Sequence, residues 1–557
     1  MLRTQNHNNQ QADTGRVVHI RAEQFGEVGC EALLAASTVY IDARGGVFAD
    51  LVRGLVRTHP FKFPPRLNLS GSQKKVDLDT TFKKEVYTDI SKLDFFNGIG
   101  GFDKTTDSYV ISITPEIRPP APWSNIVANK DIGFVTTDKG LSFTWARNSY
   151  DNKLTVAYND PLSSDTSEAV YVRDEKSGEY WSPLPMLGDS ASRYEIRYGE
   201  GYSEYITHQG GLRLRLRMHV APKEPIKYFT LDIQNNTDIE RVLAAFGYFE
   251  LLMGSFPEET KKHIIFNIRK GNIIIASQQY RNNFVDSRVF LGIAGGADNY
   301  TVSKSEFIGR FGNVLAPAAL SREGLSSDHE SHGEPAVGFS RRVKLSPGEN
   351  ATIVFFMGES ISEDALEYFL ERSCDAKSAE YSFLKAKTYS NSVSKISVEL
   401  PDRELALLCN RFLLHQTLAS RIYAHAGFFQ IGGSFGFRDQ MQDALFLLWH
   451  DPKWVRSHIL ESAAHQFIEG DVLSWWHSYN NFGARTRISD HHLWLPYVVS
   501  RYIDFTGDKS VLDEQIPYLN GELPGDDEPQ SVIGVFYPGR ENGSLYEHCI
   551  RAVERAL

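Results

Sequence analysis

The hydrophobic period of this chain changes near residue 360, and that change restricts the folds open to it. From about Phe95 to Gly358 the period is two: Leu212, Leu214, Leu216, Met218 and Val220 alternate with Arg213, Arg215, Arg217 and His219, as in a half-buried strand. The arginine face reads as solvent or inter-sheet surface and not as a phosphate site. Further strands are predicted at 109–114, 132–137, 141–146, 226–233, 264–268, 273–276 and 351–357. Turn-rich pieces such as Lys270-Gly271-Asn272 and Ser346-Pro347-Gly348 separate them. Many strands at this spacing make a β-sandwich the economical solution.

Beyond Ser360 the signal is helical. Ala365, Leu366, Phe369 and Leu370 repeat at the helix period, with Ser362 placed to cap them. A helix at about 403–423 is apolar over much of its circumference, which suits the inside of a larger helical assembly. More helices are predicted at 440–450, 454–467, 491–505 and 544–557. With 557 residues the chain exceeds one compact core. The expected division is an N-terminal extension or linker at 1–90, a β-sandwich at 91–360, a helical linker at 361–398 and a partial helical barrel at 399–557.

A net charge of −11 argues against nucleic acid or an anionic membrane as the main partner. No run of about 18 apolar residues offers a membrane span, and the polar start, Met1 to Gly15, has no signal-like apolar region. Cys30, Cys374, Cys409 and Cys549 are scattered without metal or disulfide spacing, so a reducing, cytoplasmic setting and no metal are expected. The 25 Tyr, 34 Phe and 8 Trp supply rings that could stack on sugars.

Two segments could carry chemistry. In Gly432-Gly433-Ser434-Phe435-Gly436-Phe437-Arg438-Asp439-Gln440-Met441-Gln442-Asp443, glycines allow close backbone approach and a helix start offers N–H groups to an oxygen-rich ligand. Arg438 and Asp443 could grip sugar hydroxyls. Asp439 is either part of that site or a helix cap, since Asp439 and Gln442 have capping-box spacing. Asp443, beside Met441, Leu445 and Leu448, needs a partner that Arg438 or a ligand would supply. The second segment runs from Glu469 through Trp475, Trp476 and His477 to Arg485, Arg487 and Asp490. It offers rings for stacking and guanidinium groups for hydroxyls or an anion. One tryptophan of the pair reads as core packing, and Ser489 or Asp490 as a cap. Adjacent His491 and His492 diverge by about 100° on a helix and make a poor metal pair. His548-Cys549 reads as one exposed and one packed residue.

Taken together, Gly436-Phe-Arg-Asp-Gln-Met-Gln-Asp443, Gln466-Phe-Ile-Glu-Gly-Asp-Val472, Trp475-Trp-His477, Arg485-Thr-Arg-Ile-Ser-Asp490, Leu493-Trp-Leu-Pro-Tyr497 and Leu545-Tyr-Glu-His-Cys549 resemble glycoside hydrolase family 94. Within it the likeness is to the phosphorylase-like module of cyclic β-1,2-glucan synthases and to 1,2-β-oligoglucan phosphorylases. Phe95-Phe-Asn-Gly-Ile-Gly-Gly-Phe102, Pro120-Ala-Pro-Trp123, Asn159-Asp-Pro161 and Tyr171-Val-Arg-Asp174 agree with the same subgroup.

The resemblance implies a multidomain β plus α fold: a galactose-mutarotase-like β-sandwich, a helical linker and an incomplete (α/α)6 barrel. It implies inverting phosphorolysis of a β-1,2-linked glucan or oligosaccharide to glucose 1-phosphate, with inorganic phosphate as co-substrate and no other cofactor. Arg438, Asp439 and Asp443 match the donor-sugar subsite, and Arg485, Arg487 and Asp490 a loop near the substrate. His425 stands where relatives bind phosphate through an arginine, and His491 where a second aspartate is common. The family's general acid lies in a Gly-Asp-Trp-Asn-Asp-Gly-like segment after the Tyr-Glu-His-Cys helix. These 557 residues lack that segment, so no catalytic acid is assigned and the chain is expected to be inactive alone, with a separately encoded remainder as a possible partner. A non-catalytic carbohydrate-binding remnant and an independent glycan hydrolase using Asp443 and Asp490 are the alternatives.

Overall fold

The computed structural model describes residues 64–67, 86–158, 165–278, 283–331, 333–427, 430–523 and 531–557. All of them fall in one compact unit, Phe63–Leu557. The expected N-terminal extension lies outside these residues apart from 64–67 and 86–90, as does the Asn159-Asp-Pro161 motif.

The period-two region folds into two large antiparallel sheets. The ten-stranded sheet has Tyr202–Gln209, Leu212–Val220, Ile226–Asn235 and Asn350–Ser360 as consecutive neighbours at its centre. The nine-stranded sheet is built around the long strand Arg241–Gly254, and includes Ile132–Thr137, Ser142–Ala146 (β1) and Lys153–Thr155 (β2). Register puts Leu214 opposite Ile233, Leu216 opposite Leu231 and Met218 opposite Phe229, so one face of the first sheet is continuous apolar surface. It packs on Phe249 and Phe339 of the second, Phe249 meeting Phe229 at 5.2 Å between ring centres, in a single buried core. Two sheets sharing their inner faces make a sandwich.

The arginine face is neither bare solvent surface nor an inter-sheet layer. Arg215 pairs across strands with Asp232 at 2.6 Å, while Arg217 is buried against Glu380 and Phe383. Both belong to the helix Ala376–Val393 (α2), which follows Glu363–Arg372 (α1) and lies over this sheet. Ser362 caps α1 as expected, its hydroxyl accepting from the Ala365 amide at 3.2 Å.

One charge crosses the sandwich interior. Lys227 Nζ of the first sheet donates to Glu168 Oε2 of the second at 2.6 Å, and Ser142, Thr144 and Thr155 hydroxyls donate to the same carboxylate. Burial pushes Glu168 up, but Lys227 and these hydroxyls outweigh it and hold the carboxyl below its ordinary range.

The helical part begins with residues 403–424 (α3), a continuous helix with π-helical stretches at Leu408–Phe412 and Thr417–Ala424. Its Ala419 and Ala424 pack with Ala426 on Ile126, Val135 and Trp145 of the sandwich, while Leu405 and Leu408 stay exposed. Thus α3 is not enclosed on all sides. Phe437–Leu447 (α4), Pro452–Ala463 (α5), Trp494–Thr506 (α6) and Leu545–Ala556 (α7) pack around a second core that contains Phe437, Met441, Ile459, Val498 and Leu545. Beside them lies a small sheet formed by Phe435–Gly436 (β3), Leu473–Trp476 (β4), Phe482–Thr486 (β5) and Ser531–Val535. Among the described residues, α3–α7 are fewer helices than six hairpins require, and none is long and apolar enough to cross a membrane.

Candidate sugar site

The glycine-rich segment becomes β3 and the first turns of α4. Phe435 pairs with Trp476 in β4, and Gly436 stands at the N-cap of α4. Since Gly436 has no side chain to cap with, the amides of the first turn gain no cap hydrogen bond. Asp439 is therefore not a cap, and its carboxylate points outward with 63% exposure.

The two carboxylates of α4 share one cation. Arg421, on the last turn of α3, reaches Asp443 at 2.9 Å through Nε and Asp439 at 3.2 Å through Nη2. Asp439 and Asp443 are four residues apart and lie on one helix face. Arg438 and Asp443 are five apart, about 140° around the helix, so they cannot pair as the sequence suggested. Arg438 instead meets Asp490 at 3.1 Å. Burial raises the Asp443 carboxyl above its ordinary range, against Arg421, which lowers it; Asp439 adds to the rise.

Strand alternation separates the tryptophans. Trp476 is fully buried, stacked between Phe435 at 5.6 Å and His465 at 4.0 Å between ring centres. Trp475 points the other way, is half-buried, and meets His477 and Phe482 edge-on or tilted. Only Trp475 has a ring available for stacking.

Arg485 is engaged elsewhere. Its guanidinium is fully buried, donating to both oxygens of Asp471 at 2.7 Å, to Glu469 at 2.8 Å and to the Gly521 carbonyl at 2.8 Å, with the Phe467 ring 3.8 Å away. It braces the 469–471 turn against β5 and presents no donor outward. Arg487, just beyond β5, is exposed. Asp490 stands at the N-cap of a short turn, His491–Leu493, without capping it through its side chain, and His491 Nδ1 lies 3.1 Å from Ser474 Oγ.

His425 ends α3 in a left-handed conformation, φ +47, beside Phe435. Burial, then His458, Arg421 and His477, pull its imidazole down to about 4, so it is neutral near pH 7. Its Nε2 has no partner among the described residues. The His548-Cys549 pair departs from expectation: both are buried. His548 stacks on Tyr518 at 4.0 Å, its Nε2 lies 3.1 Å from the Ile516 carbonyl, and burial pushes the Cys549 thiol up to about 12. Neither can act as a nucleophilic pair. Among the described residues, no group of three or more His, Cys, Asp or Glu is placed to hold a metal ion.

Arg421 was missed in the sequence, where it is one cation inside an apolar helix. So were Asp151 and Tyr479: Asp151 accepts from the Tyr479 hydroxyl, its partner 328 residues away, and no local pattern foretells that.

Residues 107–376 match the description "Glycosyl hydrolase 94, supersandwich domain", and residues 388–557 match "Glycosyl hydrolase 94 superfamily, catalytic domain". The chain is similar to the cyclic beta-(1,2)-glucan synthase of Rhizobium meliloti (strain 1021), 31% identical over 94% of this chain and 19% of that protein. It is 23% identical to the N,N'-diacetylchitobiose phosphorylase of Vibrio proteolyticus, over 76% of this chain and 57% of the relative. Against the solabiose phosphorylase of Paenibacillus borealis it is 24% identical, over 81% of this chain and 58% of the relative. The chain thus spans a small part of the first relative and little more than half of the other two.

Proposed function

Because the chain belongs to the glycosyl hydrolase 94 family, we propose that its helical part forms the glucose-holding wall of a site for phosphorolysis of β-1,2-linked glucan. In such a reaction phosphate oxygen attacks the anomeric carbon as the glycosidic bond breaks. Glucose 1-phosphate leaves with inverted configuration, and one general acid protonates the departing oxygen. No second carboxylate is needed to activate water.

The observation that carries this reading is the paired arrangement on α4: Arg438 with Asp490, and Asp439 with Asp443 around Arg421. All of these charges are at least partly open to solvent, and they sit at a helix start without a side-chain cap. Charged donors and acceptors held in pairs suit the vicinal hydroxyls of a pyranose, and Trp475 offers a ring for its apolar face. Arg487 flanks the same region, and Arg485 serves it indirectly by holding the 469–471 turn. His425, neutral at pH 7, would give phosphate one N–H and no charge. A cytoplasmic setting, where phosphate is abundant, accords with this chemistry.

Calorimetric titration of the purified protein with a 1,2-β-gluco-oligosaccharide tests the reading. Saturable binding is expected, weakened on the order of tenfold or more in Asp443→Asn, which loses a charge-assisted hydrogen bond. The 557 residues alone are expected to release no glucose 1-phosphate. Absence of sugar binding, or equal binding by the variant, would sink the reading. Reducing ends released without phosphate would favour a hydrolase.

A further inference from the structure

The sandwich reaches into the candidate sugar site through the turn between β1 and β2. Asn148, 5% exposed, donates from Nδ2 to the Gly433 carbonyl at 2.7 Å. Its Oδ1 accepts from the amides of Tyr150 and Asp151, both at 2.9 Å, so the side chain that holds Gly433 is itself fixed by its own turn. The fit admits no side chain at the partner position. Gly433 has φ +63, and a Cβ there would stand 2.4 Å from Asn148 Oδ1 and 2.9 Å from Tyr150 Cβ.

Three residues on, the same turn holds the segment that directly follows β4. Asp151 accepts from the Tyr479 hydroxyl through Oδ2 and from Ser255 Oγ through Oδ1 at 2.8 Å, and its Oδ2 lies 3.7 Å from His477 Nδ1. His477 directly follows Trp476, the partner of Phe435. The turn has an anchor of its own: Arg147 makes two hydrogen bonds to Glu359, at 2.9 and 3.0 Å, and covers Phe284, which touches Tyr479 at 4.7 Å between ring centres.

We infer that residues 147–152 of the sandwich are the positioning element of the sugar site, with Asn148 setting the glycine-rich loop that leads to Arg438 and Asp151 setting the strand that carries Trp475. Gly433 lies five residues before Arg438, separated from it by Ser434, β3 and Phe437. A displacement of the Gly433 carbonyl is passed along that short path to the guanidinium. Asn148 and Asp151 touch no sugar in this scheme; they act through the loop and the strand. The sugar-binding part of the scheme rests on the reading proposed above, whereas the loop-setting part does not.

Amide hydrogen exchange of the sugar-free protein separates the two. In Asn148→Ala, faster exchange is expected at residues 432–437, and in Tyr479→Phe, which keeps the ring packing, at 475–482, with the sandwich strands unchanged. Affinity for a 1,2-β-gluco-oligosaccharide is expected to fall on the order of tenfold in Asn148→Ala, and to fall no further when Asn148→Ala is added to Arg438→Ala, since one acts through the other. Unchanged exchange at 432–437, or a change spread over the whole sandwich, would overturn the inference, as would additive effects of Asn148→Ala and Arg438→Ala. If the unmodified protein binds no oligosaccharide, the functional reading fails and the exchange pattern alone decides on the positioning turn.

Discussion

Arg485 carries a full charge with no exposed surface, and such a charge is tolerated only where its donors are matched. Asp471, Glu469 and the Gly521 carbonyl do this. Lysine keeps the charge but cannot span both carboxylates and a carbonyl with one compact ammonium. Arg485→Lys is therefore expected to destabilise the protein by about 3 kcal/mol in urea unfolding, in the range for breaking a buried pair; a loss below about 1 kcal/mol would contradict the bracing role. Arg421 makes a different point, because it faces solvent and bears on a titration. Burial raises Asp443, and Arg421 opposes that rise. In Arg421→Gln the carboxyl should titrate higher still, so the acid-side loss of sugar binding should move to higher pH; an unmoved pH profile would separate Asp443 from binding. These pairings were not legible in the chain. Arg438 and Asp443 share a motif, yet helix geometry sends one to Asp490 and the other to Arg421, and only the packing of α3 and of the turn before α6 on α4 reveals which.

At the scale of elements, legibility followed how local the cause is. The strand expected at 132–137 is found at Ile132–Thr137, because a short apolar and β-branched run between turn signals needs no distant partner to be recognised. The start of α4 was misplaced by three residues, from Gln440 to Phe437, since its N-cap is a glycine that leaves no side-chain signature. The π-helical stretches of α3 likewise have no mark in composition. Where a cap is chemical, its worth can be measured. Ser544 accepts from the Glu547 amide at 3.2 Å while Glu547 Oε2 accepts from the Ser544 amide at 2.6 Å, a reciprocal capping box on α7. Ser544→Ala is expected to cost about 1 kcal/mol, and Glu547→Gln, which keeps an acceptor, clearly less. Denaturant midpoints of the two variants check this: equal losses would mean that charge near the helix start matters more than the hydrogen bond.

For the whole molecule, acid stability is where sandwich, loop and helices meet, because the aromatic strand and the glycine-rich loop enclose a nest of imidazoles. His425 at the end of α3, His458 from α5 and His465 before β4 surround Phe435 and Trp476, with His477 against Trp475. The charged groups facing them are Arg421 at His425 and Asp151 at His477, while His465 Nδ1 lies 2.7 Å from the backbone carbonyl of Glu461. Burial pulls His458, and with its neighbours His425, down to about 4. An unfolded chain binds those protons near pH 6.5. The folded state therefore binds fewer protons between pH 6.5 and 4, so stability is full above about pH 6.5 and falls as the pH drops through that window. For His458 alone the loss on reaching the folded value is on the order of 3 kcal/mol. Glu168 is held below its ordinary range and contributes only at lower pH, whereas burial pushes Asp138 up to about 6, which works in the opposite sense within the window. His415 and His548, pulled down to about 4, add to the fall, so the His458 variant is what assigns the nest its share. The thermal midpoint should be nearly flat from pH 8 to 7 and decline towards pH 5, and His458→Phe, which keeps an aromatic ring against Trp454, should decline less. An equal decline in that variant would remove His458 from the nest and place the acid sensitivity elsewhere in the fold.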